Sequence, residues 1–385
     1  MFKFVKDLFS KNKFLNYSDL KNINIAYVLA NFPSLSTTFI INEIKWLVEN
    51  GYNVKVISFS TPDVAATLDF EVENIRFDEN AETHEDLVNN LERILIENNI
   101  QLIHTHFVYP IGTLFLYPLA DKLKIPFTIF AHAADIFRYS IDEINKISEI
   151  SKCQYCKAIF TLGNFHKNYL LERNVVEDKI VITKQATDYD IDEIKINDNN
   201  PKKIVSISRY CEKKGLDDLI DIAKLLENEN YEFSVYGFGD LKDDLINKVN
   251  EMNLSNITIN DKLNGPLEVK QVLKSSDLLV SPCKRASDGD MDGIPTIIFE
   301  SMGYGTPVLT TNVSSIPEVI DDGINGFIVE ANDKKAFKNK INEIMSMDEK
   351  ELLKIRKKAQ NDVPKISGVD KTMQIVTNTW KNIKQ

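Results

Sequence analysis

Residues 281–312, SPCKRASDGDMDGIPTIIFESMGYGTPVLTTN, restrict the possible folds more than any other stretch. An apolar run, Leu278, Leu279 and Val280, leads into a loop rich in Asp and Gly; a helix opened by Pro295 and carrying Glu300 follows, and a second apolar strand starts at Val308. That order sets polar groups at the C-terminal edge of a parallel sheet, where open α/β sheets bind ligands. Pro295 suits the first helical turn, having no N–H to leave unpaired and a φ already helical. The amides of Gly293 and its neighbours Ile294 and Thr296 would then face an anion at a positive helix end. Asp292 stands just before that end and Glu300 one to two turns inside it, two carboxylates around one ligand-sized gap.

Two plainer accounts compete at this loop. Asp288, Asp290, Asp292 and Gly293 match the opening of a calcium loop, D-x-D-x-D-G, but Phe299 stands where the closing Glu belongs and Glu300 comes one residue late. An acidic solvated loop with a buried Glu is the other.

Composition sets the outer bounds. A chain of 385 residues with 43% hydrophobic content can bury two cores of ordinary domain size. A net charge of −11 argues against a nucleic-acid partner, leaving room for a local basic pocket. No run of 18 apolar residues and no signal peptide with a cleavage site is present, so a cytoplasmic location is expected. Cys153, Cys156, Cys211 and Cys283 are too scattered for a disulfide framework. The C-x-x-C pair precedes a strand and has no second pair at zinc-ribbon spacing, which favours reduced, partly buried thiols over a metal or redox role.

The first half alternates strand and helix. Residues 1–22 interleave Phe2, Phe4, Val5, Leu8 and Phe9 with lysines, a pattern that suits either contact with an anionic membrane surface or packing on its own domain. Residues 23–30 form a buried strand, and a hydroxyl-rich loop with Ser36 and Thr37 opens a helix stopped by Gly51. His104 and His106 share one face of a strand over 102–107; they could bind a metal, but no third ligand is near in sequence. His132 directly follows a buried strand over 126–131, a place at the ligand edge where a polar ring is easily hydrated. Asp135 would orient it or cap the next helix. Asn164 can serve as an N-cap. The polar, acidic stretch 186–203 is the natural linker between a domain over 23–185 and a second over 204–362, with 363–385 a crossover helix.

In the second half a strand over 204–208 leads to Arg209 and Lys214, cations astride a helix start that can clamp a diphosphate from two sides. Without an anionic partner they would oppose the helix dipole. Gly237 and Gly239 mark a tight turn, and the loop at Leu263 and Asn264 follows the next strand.

Several ordered words then carry a resemblance. Asp292 through Glu300 resembles the E-x7-E pattern of the large retaining glycosyltransferase family 4, with Asp in place of the first Glu. DGDMDGIP and ESMGYGTPVLTTN are most similar to the branch that builds capsular and exopolysaccharides, of the colanic acid and amylovoran type. Phe32, Pro33, Ser36, Thr38, Phe39 and Ile40 fit that branch's FP-x-x-S-E-T-F-I, with Thr37 replacing Glu. The resemblance, spanning about residues 23–380, implies the GT-B architecture: two Rossmann-like doubly wound α/β domains facing a cleft, with a C-terminal helix crossing back to the N-terminal domain. It implies sugar transfer with retention from a nucleotide-diphosphate sugar, UDP- or GDP-linked, to a hydroxyl of a glycan or lipid-linked glycan. No cofactor and no metal are required. Arg209 and Lys214 match the diphosphate word S-R-x-x-x-x-K-G. Asp292 would hold sugar hydroxyls and Glu300 the ribose. Gly237, Gly239, Leu263, Asn264, Gly293, Ile294, Pro295 and Thr296 would line the donor, and His132 would approach the sugar. Ser36, Thr37, His106, Asp135 and Asn164 would sit toward cleft and acceptor. A sugar-nucleotide epimerase and a non-catalytic glycan-binding protein share the architecture. The resemblance also suits an enzyme peripheral on the inner membrane face.

Overall fold

The computed structural model describes residues 17, 19–34, 37–60, 68–138, 142–188, 191 and 193–383. Within them the chain forms two compact units, Met1–Ala186 with Val369–Gln385, and Thr187–Gly368.

The first unit holds a parallel sheet of seven strands. In chain order these are β1 (Asn24–Asn31), β2 (Asn53–Ser60), β3 (Asn74–Arg76), β4 (Leu102–His106), β5 (Phe127–Phe130), β6 (Cys156–Thr161) and β7 (Ile180–Ile182). They lie side by side as β3-β2-β1-β4-β5-β6-β7. The central strands are buried throughout, as a parallel sheet covered on both faces requires. Helices return the chain between strands: Thr38–Glu49 buries Phe39, Ile40, Ile44 and Leu47, and His84–Glu97 buries Leu91, Ile94 and Leu95. The second starts with a capping box, Thr83 Oγ1 accepting the Asp86 amide (3.1 Å) and the Asp86 carboxylate accepting the Thr83 amide (2.9 Å).

The second unit repeats the plan with six parallel strands, β8 (Lys202–Arg209), β9 (Tyr231–Phe238), β10 (Ile257–Asn260), β11 (Leu278–Ser281), β12 (Val308–Thr311) and β13 (Phe327–Val329), ordered β10-β9-β8-β11-β12-β13. Its core gathers Ile204, Ile220, Phe233, Leu278, Val280, Leu309 and Phe327.

The last helix, Val369–Lys381, belongs to the first unit. Trp380 is fully buried there, its indole N–H donating to Thr128 Oγ1 (3.0 Å), and Asp370 accepts the Trp46 indole N–H (2.7 Å). The change of unit falls after Gly368 instead of at 363, because the helix Glu349–Ile366 runs on past Val363. Its end is tied in place by the Thr187 amide donating to the Ser367 carbonyl (2.8 Å).

Of the basic N-terminal segment, residues 1–16 and 18 lie outside the described residues. Tyr17 and Leu20 are buried, Tyr17 donating to the Gln101 carbonyl (3.1 Å). Among the described residues no helix is long and apolar enough to cross a membrane.

Candidate active site

In the second unit the parallel arrangement sends every strand's C-terminal loop to one edge. Two of these loops meet. The turn after β8, Glu212–Lys214, lies against the acidic loop after β11. Three consecutive residues of the turn each take a partner in the loop. Glu212 accepts from the Ser287 amide (2.9 Å) and hydroxyl (2.7 Å), Lys213 pairs with Asp290 (3.0 Å), and Lys214 pairs with Asp292 (2.7 Å). Lys213 also stands 3.6 Å from Asp292 Oδ1, and the Lys284 amide donates to the Lys213 carbonyl (2.9 Å). Gly215 makes this approach possible: a Cβ there would lie 1.9 Å from the Pro282 carbonyl oxygen, and its φ of +64° is one that side chains rarely adopt.

The electrostatics follow from burial and pairing. Burial alone would raise the Asp292 carboxyl; the ammonium groups of Lys214 and Lys213, with hydrogen bonds from Lys214 and Cys283, outweigh it and hold the group at about 2. Lys214 is nearly buried, which disfavours its charge, but Asp292 more than compensates and its pKa is raised. The Cys283 thiol donates to Asp292 Oδ2 (3.3 Å), and burial with that neighbouring carboxylate pushes it up to about 12. Such a thiol is inert near neutrality.

The loop is therefore neither a calcium cage nor a solvated acidic turn. Asp290 and Asp292 are spent on lysines, and Asp288 caps the Asp290 amide (2.9 Å).

The helix Thr296–Tyr304 follows, with Pro295 as its N-cap instead of its first residue. Gly293, Ile294 and Pro295 are buried, and Thr296 is half-buried. Glu300 is half-buried in this helix without a hydrogen-bond partner among the described residues, and burial pushes its carboxyl up to about 7. Arg209 ends β8, exposed and with no ion partner among the described residues. Gly237 is the penultimate residue of β9, where a Cβ would meet the Ser208 carbonyl oxygen at 1.8 Å, and Gly239 follows at φ +143°. Leu263 and Asn264 lie on the loop after β10, but the Asn264 amide already donates to Glu268 (2.7 Å).

The first unit has its own polar cluster. His106 is fully buried, which corrects its expected place facing an acceptor: its Nδ1 meets His132 Nε2 (2.9 Å) and its Nε2 meets Glu43 Oε2 (3.2 Å). The Tyr27 hydroxyl donates to the same carboxylate oxygen (3.1 Å). His132 is also buried, stacked on Phe130 with ring centroids 4.5 Å apart, and its Nδ1 has no partner among the described residues. Burial, with the neighbouring His106, His166 and His104, lowers its pKa well below the usual imidazole value. Asp135 neither touches that ring nor caps the helix through its end; it accepts the amides of Val108 (2.9 Å), His132 (3.1 Å) and Ala133 (2.9 Å), fixing the loop on which the ring rides. Burial pushes its carboxyl up to about 6 against those three bonds.

A third potential metal ligand does exist beside His104 and His106. Glu43 brings one ligand atom from each of the three residues within 4.8 Å of one another. Its signal was a carboxylate inside an apolar helical stripe, four residues after Phe39 and four before Leu47. Lys213 was missed as well, hidden by its neighbour Lys214.

Of the remaining candidates, Ser36 lies outside the described residues. Thr37 is the N-cap residue of Thr38–Glu49, its hydroxyl near the Ser34 carbonyl (3.4 Å). Asn164 is exposed in the first turn of Asn164–Leu171, whose N-cap is Gly163, so it is not the cap. All four cysteines are free.

Two parallel-sheet Rossmann-like units, the second presenting a lysine-carboxylate site at its strand ends, define the GT-B class. Solved structures agree on the fold: a glycosyltransferase from Rickettsia africae matches with a TM-score of 0.75 at 20% identity, covering 94% of this chain and 98% of that one. Anabaena HepE, solved in complex with UDP and glucose, matches with a TM-score of 0.76 at 14% identity, covering 94% and 100%. The family model "Glycosyltransferase Family 4" matches residues 36–190 and "Glycosyl transferases group 1" matches 189–362. The chain belongs to these glycosyltransferases. It is 24% identical over 361 residues to the amylovoran biosynthesis glycosyltransferase AmsK of Erwinia amylovora, covering 82% of this chain and 88% of that protein. To WcaL of Escherichia coli, named for colanic acid biosynthesis, it is 30% identical over 165 residues, 42% of this chain and 41% of the other.

Proposed function

We propose that this glycosyltransferase is a retaining hexosyltransferase of cell-surface polysaccharide assembly, taking its sugar from a nucleotide diphosphate such as UDP or GDP. The observation that carries the reading is the Lys214–Asp292 pair, a nearly buried cation and carboxylate 2.7 Å apart at the ligand edge of the second sheet. A donor's diphosphate suits the ammonium and a donor's sugar hydroxyls suit the carboxylate. In the reaction the bond from the anomeric carbon to the diphosphate oxygen breaks and a bond to the acceptor oxygen forms on the same face. The acceptor's proton leaves on the departing phosphate, so no separate base is assigned. Charge builds on the leaving oxygen, and Lys214 with Arg209 would stabilise it. Glu300, without a side-chain partner among the described residues, is free to receive ribose hydroxyls. No metal is required in this chemistry.

The relatives named for amylovoran and colanic acid synthesis support a glycan acceptor, which in such assembly is lipid-linked, on the cytoplasmic side where an enzyme can rest peripherally on the membrane. The test is incubation of the full chain with UDP-, GDP- and ADP-sugars, with and without lipid-linked glycan, reading product configuration by NMR. An α-linked product from an α-linked donor is expected. An inverted product, or an epimerised donor formed without acceptor, overturns it. Lys214→Met should weaken UDP binding at least tenfold if UDP is the carrier.

A further inference from the structure

Resting on that reading of Lys214, we propose that Lys213 is a positioning residue, the counterion that keeps Asp292 charged and in place when Lys214 leaves it for the donor's diphosphate. The site is self-neutralised, two lysines against two aspartates, all nearly buried. A diphosphate adds negative charge next to Asp292. If Lys214 turned to the phosphate and nothing replaced it, a desolvated carboxylate would face an anion, and it would take up a proton or move.

The geometry divides the labour between neighbours. Lys213 is held by both carboxylate oxygens of Asp290, at 3.1 and 3.0 Å, and its backbone carbonyl is fixed by the Lys284 amide, so it is tethered to the loop. From that tether its ammonium stands 3.6 Å from Asp292 Oδ1. Lys214 makes its ion pair with Asp292 Oδ2 alone, on the other side of the carboxylate, and can exchange one anion for another. After the exchange Oδ1 still faces Lys213. Oδ2, with only the Cys283 thiol left on it, becomes the acceptor for a sugar hydroxyl. Asp290 thus keeps Lys213 from competing for the phosphate, and Lys213 keeps Asp292 from losing its charge.

The first experiment needs no substrate. Aspartates of the full chain are labelled at the carboxyl carbon, the Asp292 signal is assigned with Asp292→Asn, and its titration is followed by NMR in Lys214→Met, in Lys213→Met/Lys214→Met and in Lys213→Arg/Lys214→Met. Asp292 should stay ionised above pH 5 in the first, rise by a unit or more in the second, and return in the third. In turnover, Lys213→Met should lower kcat roughly tenfold or more with donor KM little changed, and Lys213→Arg should restore most of it. If Lys213→Met does not fold, Lys213→Gln, which keeps a hydrogen bond to Asp290, is measured in its place. Equal titration of Asp292 in the first two variants, or an Arg variant no better than Met, overturns the proposal. Failure of the underlying reading shows separately: Lys214→Met would bind inorganic pyrophosphate as tightly as the unaltered chain, and the exchange step would fall even with the NMR pattern intact.

Discussion

Glu43 Oε2 and His106 Nε2 meet at 3.2 Å inside a core that neither side chain leaves. With Glu43 Oε2 as the acceptor, a neutral His106 carries its proton on Nε2 and offers a lone pair at Nδ1. His132 must then donate from Nε2, and its Nδ1 is left as an acceptor. One acid on a helix sets the polarity of a ring two groups away. Nitrogen-15 NMR of the imidazoles should show His132 protonated at Nε2. Glu43→Ala should cost about 3–5 kcal/mol by chemical denaturation, the range for breaking a buried charged partnership, and Glu43→Gln less.

Glu300 gives a pH dependence whose sign can be worked out. Its carboxyl stands near 7 in the folded chain against 4.5 unfolded, so above pH 4.5 the unfolded chain sheds a proton that the folded chain keeps. Stability contributed by this group therefore falls as pH rises from about 4.5 to 7, and is flat above. Glu300→Gln should raise stability by on the order of 1–3 kcal/mol at pH 8 and by little at pH 4, read from melting curves. The same variant should bind a nucleotide diphosphate more weakly.

Gly237→Ala should be severe for a residue that carries no side chain. The added Cβ would fall 1.8 Å from the Ser208 carbonyl oxygen, backbone that cannot give way without parting β8 from β9. A loss of about 2–4 kcal/mol is expected in denaturant unfolding, with weaker binding of the proposed nucleotide-sugar donor.

Trp380→Ala removes a fully buried indole and its hydrogen bond to Thr128, and should cost about 3–5 kcal/mol. The effect belongs to the first unit. Hydrogen exchange should rise across β1, β4 and β5 and leave β8 to β13 unchanged.

Much of this was legible in the sequence because parallel sheets write themselves plainly. Continuous apolar runs such as Leu278–Val280, leading into a loop rich in Asp and Gly, gave both the strands and the edge where polar groups collect. Lys214 and Asp292 were found as members of separate motifs; their 2.7 Å contact was not, since no spacing rule joins positions 78 residues apart. His132 was read as an edge residue because it follows a buried strand, and His106 was set toward the cleft by the resemblance. The strand rule says where a residue leaves the sheet, not whether neighbouring rings close over it, and Phe39, Phe107 and Phe130 do. Glu43 went unnoticed for the same reason, an acid whose only oddity was the face of the helix it occupied.

The attachment of Val369–Lys381 to the first unit reaches back into how the protein is made. A ribosome delivers residues 1–186 early, but the tryptophan that fills their core comes only at position 380. The N-terminal half lacks its buried indole, and Thr128 the hydrogen bond it accepts, until the whole of the other half has been synthesised. A premature stop near residue 370 would therefore spare the half it truncates last and ruin the half that was translated first.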